Sequence, residues 1–184
     1  MHSTARAAPI YAAPPRITTN PPDIDNPILA FFLDYWNEKR GLRAMPSRAD
    51  IKVREIKPHL GWICLIDALA DYRDFRYRLV GSLVSDFFLG DGTGKTVREA
   101  FIAHDEALAE AALWLYRMAC KSKEPLRIEG AGGMWNGHYY PDNDALYLPL
   151  ASDGENVDMI LNVFTFDHGA YRKTLNRPSL GHTS

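Results

Sequence analysis

The string Gly90-Asp91-Gly92-Thr93-Gly94-Lys95-Thr96 resembles a phosphate cradle, because a glycine-rich turn ending in Gly-Lys-Thr presents backbone N–H groups and a lysine to a nucleotide. The spacing argues otherwise. A P-loop needs Gly, four residues, then Gly-Lys-Ser/Thr, and counting back from Gly94 puts Leu89 where the first glycine belongs. The segment also follows a helical stretch rather than a buried strand. It reads as a turn between two short helices, with Thr96 or a neighbour as cap. The histidines His2, His59, His104, His138, His168 and His182 form no HxxxH or HExxH pair, and no motif marks a haem ligand. His104-Asp105-Glu106 reads as the polar start of a helix, and His138 after Asn136-Gly137 as part of a turn. Cys64 and Cys120 have neither zinc nor redox spacing and sit in apolar runs, so both are predicted to be buried thiols of a reducing compartment. There is no GxSxG elbow, and Asp67, Asp71, Asp74 and Asp86 are too dispersed to form an acid–base pair. The sequence thus names no catalytic residue, no metal ligand and no required cofactor.

Those side chains belong to a chain of 184 residues, 46% hydrophobic and 24% charged, with a net charge of −2. That is one domain with a real core, and the balance argues against a nucleic-acid binder. Arg40, Arg43, Arg48, Lys52 and Arg54 cluster around Met45-Pro46, and they are expected to form a solvated or partner-facing patch. Arg48 and Asp50 are placed to pin that loop through local hydrogen bonds. No run approaches the roughly 18 apolar residues of a membrane span, and the N-terminus has no apolar signal core. A cytoplasmic location without membrane contact is the expectation.

Five prolines before residue 23 and few apolar anchors predict a flexible arm over residues 1–26. Residues 27–175 form the domain, and 176–184 a flexible tail. Ile28, Leu29, Phe32, Tyr35 and Trp36 recur on one helical face over 28–39, capped by Asp25 or Asn26 with Pro27 in the first turn, and stopped by Gly41. A helical turn is expected at 54–57. Strands are predicted at 62–66 and 75–80, then helices at 82–89, 96–101 and 104–121. Further strands follow at 125–131, 145–150 and 159–166. On the long helix Leu108, Ala111, Ala112, Leu115, Met118 and Ala119 make the expected core stripe, with Trp114 beside them. Five strands joined by short turns point to a single antiparallel sheet with the middle helices across one face. The first helix then covers the other face or a second subunit.

Several strings resemble the PAS superfamily, and more narrowly a proteobacterial PAS-like family first catalogued as a domain of unknown function. They are Tyr35-Trp36, Arg40-Gly41, Met45-Pro46-Ser47-Arg48-Ala49-Asp50-Ile51, Glu55-Ile56, Leu60, Leu65-Ile66-Asp67, Tyr77-Arg78-Leu79-Val80-Gly81, Gly90, Thr93-Gly94-Lys95 and Leu148-Pro149-Leu150. The resemblance spans about residues 27–166. It implies an α+β fold, a PAS-like five-stranded antiparallel sheet with helices on one face and an extra N-terminal helix. It also implies a sensor or regulatory module rather than an enzyme, acting by small-ligand binding or by association with a signalling partner, since no output domain is expected on this chain. A small apolar ligand would lie between the sheet and the middle helices, lined by Tyr77, Leu79, Phe87, Trp114, Met118, Asn162 and Phe164. Strand alternation puts Tyr77 with Leu79, and Asn162 with Phe164, on shared faces, Asn162 being the polar handle. The aromatic stripe Ile28, Phe32, Tyr35 and Trp36 is expected to be a homodimer surface. The alternative is a small α+β enzyme or ligand carrier with a cone-shaped pocket, which would show converging polar groups of perturbed pKa.

Overall fold

The computed structural model describes residues 10–11, 15–88, 90–101, 106–135, 138–140 and 142–167. Nine strands are found there: β1 (Ile10–Tyr11), β2 (Arg16–Thr19), β3 (Ile63–Ala68), β4 (Phe75–Val80), β5 (Leu126–Glu129), β6 (Gly133–Trp135), β7 (His138–Tyr140), β8 (Asn143–Leu150) and β9 (Met159–Phe166). The α-helices are α1 (Pro27–Arg40), α2 (Val53–Ile56), α3 (Ser82–Phe87), α4 (Val97–Phe101) and α5 (Glu106–Ser122).

The main sheet is antiparallel, in the order β2-β5-β8-β9-β3-β4. It has six strands where the sequence predicts five, because Arg16–Thr19, within the expected flexible arm, is an edge strand paired with β5. The arm's prolines flank this segment rather than interrupt it, and Ile17, Thr18 and Thr19 are β-branched. Arg16 grips Glu129 in a fork, Nε to Oε2 at 2.7 Å and Nη2 to Oε1 at 2.8 Å. β1, also within the expected arm, joins β6 and β7 in a small second sheet. His138 starts β7, opposite Trp135, rather than lying in a turn. Residues 1–9 and 176–184, as well as His104, lie outside the described residues.

The two faces of the main sheet carry different helices. α1 and α5 both pack on β8 and β9, but on opposite sides. Asn26 caps α1, its Oδ1 accepting the N–H of Ile28 (3.0 Å) and of Leu29 (3.2 Å), while its Nδ2 donates to Thr165 Oγ1 (3.2 Å). That fixes α1 on the face of Thr165, which by alternation carries Leu146, Leu148, Leu161 and Val163, all fully buried. Leu29, Phe32, Leu33, Tyr35 and Trp36 are buried from the α1 side. Gly41, at φ 56°, ends the helix.

This corrects the dimer surface. Phe32, Tyr35 and Trp36 are buried within the chain itself: Trp36 Nε1–H donates to the Pro149 carbonyl at 2.8 Å, and the Tyr35 hydroxyl donates to Glu55 at 2.9 Å. Ile28 is partly buried against the same core. The 3.6-residue period correctly marks an apolar helix face, but it does not say what covers that face. Here much of the cover is the sheet face bearing Leu146, Leu148, Leu161 and Val163.

The loop after α1 is held by its own polar residues. Asp50 accepts from the Ser47 N–H and hydroxyl, both at 2.8 Å, and pairs with Arg43 at 3.0 Å. The Ser47 bonds, with Arg43 assisting, hold the Asp50 carboxyl down at about 2. A carboxyl depressed on folding stabilises above its unfolded pKa, and that contribution fades as pH falls through about 2. Asp50→Asn is expected to cost about 1 kcal/mol at pH 7. Urea melts at pH 7 and pH 2.5 should show the deficit shrinking at the lower pH, and an equal deficit at both would remove the assignment.

Candidate functional site

The opposite face of the sheet, under α3 and α5, holds a cluster of buried phenols with the Asn162 amide and the Cys64 thiol. Alternation from the pairings Tyr147↔Asn162, Cys64↔Asn162 and Ile66↔Tyr77 places Tyr77, Cys64, Tyr147, Asn162 and Phe164 there. α5 adds Tyr116. Its hydroxyl lies 3.2 Å from that of Tyr77, and its ring is 5.5 Å from Tyr147 and 5.2 Å from Phe75, centroid to centroid. Asn162 Nδ2 donates to the Leu146 carbonyl at 3.2 Å. Beside this cluster α3 delivers Phe87, 4.8 Å from Phe164 and 4.5 Å from Phe166, and Phe88 lies 5.4 Å from Phe164. The result is a wall of rings with three phenols, one amide and one thiol set into it.

Burial dominates the electrostatics. Desolvation raises the pKa of Tyr77, Tyr116 and Tyr147, so all three phenols stay protonated at neutral pH. It pushes Cys64 up to about 12 and Cys120 likewise. The cluster therefore holds neutral hydrogen-bonding groups in an apolar setting. That suits an uncharged ligand and gives no activated nucleophile. Both thiols are expected to resist iodoacetamide at pH 8 in folded protein and to react as urea unfolds it. Labelling of Cys64 well before the unfolding transition would contradict this placement.

Of the seven expected lining residues, Tyr77, Phe87, Asn162 and Phe164 meet in this interior. Met118 is partly buried at its side. Leu79 and Trp114 do not join it. In the β3–β4 pairing Leu65 faces Leu79 while Ile66 faces Tyr77, so Arg78 is an extra residue. This bulge breaks the alternation that would put Leu79 with Tyr77, and Leu79 is exposed. Trp114 is 53% exposed because the buried stripe of α5 is Ala109, Leu113, Tyr116, Ala119 and Cys120. That stripe is rotated from the expected one, and Trp114 falls on its flank. Tyr116 and Tyr147 escape the sequence reading. For Tyr116 a signal exists in the i, i+3, i+7 set Leu113, Tyr116 and Cys120.

The Gly-Lys-Thr string finds its structural use at the sheet edge. Gly94, at φ 85°, donates its N–H to the Tyr77 carbonyl (2.7 Å), and Tyr77 N–H donates to the Lys95 carbonyl (3.0 Å). Val80 N–H donates to Thr93 Oγ1 at 3.2 Å. Thr96 and Glu99 then cap α4 reciprocally, N–H to side-chain oxygen at 2.7 and 3.2 Å. The Gly94 amide that a phosphate cradle would present is used to strap β4.

The architecture is an antiparallel sheet clasped by helices, with neutral aromatic and phenolic side chains between the sheet and α5. The PAS domain family model matches residues 24–165, and the chain belongs to that family, whose members are sensory and regulatory modules. No curated protein matches the chain. Among solved structures, the PAS domain of Bordetella pertussis BvgS is 19% identical with a TM-score of 0.48, over 67% of this chain and 90% of that one. An RNA-binding Light-Oxygen-Voltage receptor is 11% identical with a TM-score of 0.46, over 92% of this chain and 44% of that one. Among the described residues no helix is long and apolar enough to cross a membrane.

Proposed function

We propose that this protein is a cytoplasmic regulatory module that takes a small, largely apolar, uncharged ligand between the sheet and α3–α5, and passes its state to a partner protein. The observation that carries the reading is the Tyr77–Tyr116 hydroxyl pair with Tyr147 and Asn162, four polar side chains kept neutral inside an aromatic wall. Polar groups so placed orient a ligand by hydrogen bonds while the rings supply contact area. The absence of an activated nucleophile or acid–base pair in this cluster favours binding over turnover.

Native mass spectrometry of protein purified from its source cells tests this. The expected result is a copurified small molecule whose release needs unfolding. Tyr116→Phe, which deletes one hydroxyl, should weaken its retention by about fivefold, equivalent to the net worth of one hydrogen bond. A spectrum of the bare chain alone, with no shift in melting on adding source-cell metabolite extract, would end the ligand reading.

A further inference from the structure

A second surface stands apart from this interior. Residues 39–57 contain seven Lys or Arg and only two acids, a net +5, so the rest of a chain of net −2 carries −7. Both acids are already engaged. Asp50 pairs with Arg43, and Glu55 with Lys39 at 3.0 Å, while Glu55 also accepts the Tyr35 hydroxyl at 2.9 Å. Arg48, Lys52, Arg54 and Lys57 make no ion pair among the described residues. Arg48 Nη1 and Lys52 Nζ only touch local carbonyls, those of Ile51 (2.9 Å) and Ala49 (2.6 Å). Arg48, Ala49, Ile51, Lys52, Val53 and Arg54 together line an open depression of about 600 Å³. Val53 in this wall is half exposed, and Leu42, one residue before Arg43, is fully exposed.

We propose that this depression docks a short acidic segment of a partner protein, carrying Asp or Glu side chains for Arg48, Lys52 and Arg54 and an apolar side chain for Val53. This rests on the reading that the module acts through a partner, but not on any ligand in its interior. Charge complementarity sets the sign, since the cations here lack carboxylate partners. A short segment is favoured over a nucleic acid for two reasons. The wall offers no exposed aromatic ring on which a base would stack. The remaining −7 of the chain also repels a long polyanion that must run past it.

The test uses the full chain and fluorescence anisotropy at 0.1 M salt. Four probes are compared: a 12-residue peptide alternating Glu with Leu, an all-glutamate peptide of the same length, the Lys analogue of the first peptide, and a 12-nucleotide oligouridylate. The Glu/Leu peptide is expected to bind at least tenfold tighter than the Lys analogue and several-fold tighter than the all-glutamate peptide. Lys52→Glu/Arg54→Glu, two exposed positions whose side chains bear no core contact, should weaken it about tenfold without moving the melting temperature. Val53→Asp should weaken it as well. Oligouridylate binding tighter than the peptide would overturn the proposal in favour of nucleic acid. Equal binding of the all-glutamate peptide would remove the apolar anchor, and charge reversal without effect would remove the site. Peptide binding by a chain purified free of small molecules separates this outcome from the fate of the interior ligand.

Discussion

Trp36→Ala is expected to destabilise the protein by about 4 kcal/mol, a large fraction of the stability of an ordinary domain. The side chain is fully buried between α1 and the sheet, and its indole N–H satisfies the Pro149 carbonyl. Truncation leaves a cavity and an unpaired buried acceptor together, and the two penalties add. Trp36→Phe keeps most of the contact and should cost about 1.5 kcal/mol, mainly for the lost hydrogen bond. Phe31→Ala, on the same helix but only partly covered, should cost about 1 kcal/mol. Urea denaturation of the three variants gives the ranking, with a melting shift of roughly 8–16 °C for Trp36→Ala. The same argument fixes the outcome of deleting residues 1–39. Such a chain exposes the apolar face of β8 and β9 and should fail to fold. A folded, smaller species with an intact circular dichroism spectrum would instead restore α1 as a subunit contact.

The second large effect is at Gly81, where β4 turns into α3. Its N–H donates to the Ile63 carbonyl at 2.8 Å, and its carbonyl accepts from Ser85 at 2.9 Å. Its φ of −66° is open to any residue, so the demand for glycine is steric. A Cβ there would press on the carbonyl oxygens of Leu60 and Gly61, the latter at 2.5 Å. These are backbone atoms and cannot swing aside. Gly81→Ala is expected to cost about 3 kcal/mol and to lower the melting temperature by roughly 6–12 °C. Gly94→Ala is the useful contrast. Nothing lies within 4 Å of its added Cβ, and only the left-handed backbone at φ 85° resists, for about 1 kcal/mol. A Gly81→Ala variant no worse than Gly94→Ala would show that the turn can relax.

Much of the architecture is legible in the sequence because local and global signals agree. Asn26-Pro27 and Gly41 bracket α1, and period-2 or continuous apolar runs mark β3, β4, β8 and β9. What escapes are features set by pairing partners distant in sequence. β2 is short and lies among prolines; it becomes a strand only because β5 offers an edge and Glu129 a partner 113 residues away. The bulge at Arg78 leaves no mark in the alternating string 75–80, so alternation alone puts Leu79 on the wrong face. On α5 the many alanines blur the hydrophobic stripe, and which flank faces the sheet is decided by Tyr116 meeting Tyr77 and Tyr147. The interior cluster is half visible for the same reason: Tyr77, Asn162 and Phe164 lie on strands the sequence marks, whereas Tyr147 joins them through its pairing with Asn162 and Tyr116 through the docking of α5.

The strap over β4 also bears on how copies of this chain meet. An antiparallel sheet ordinarily has two growing ends, each a row of unused amides and carbonyls, and a unit with two reactive ends can polymerise. Here Gly94 and Lys95 take both outward bonds of Tyr77, which end-blocks one side. Among the described residues only the β2 margin stays open in the main sheet. In the language of polymer chemistry the sheet is monofunctional. Strand-to-strand joining of two such sheets is closed off at the strapped stretch of β4 and left to the β2 margin.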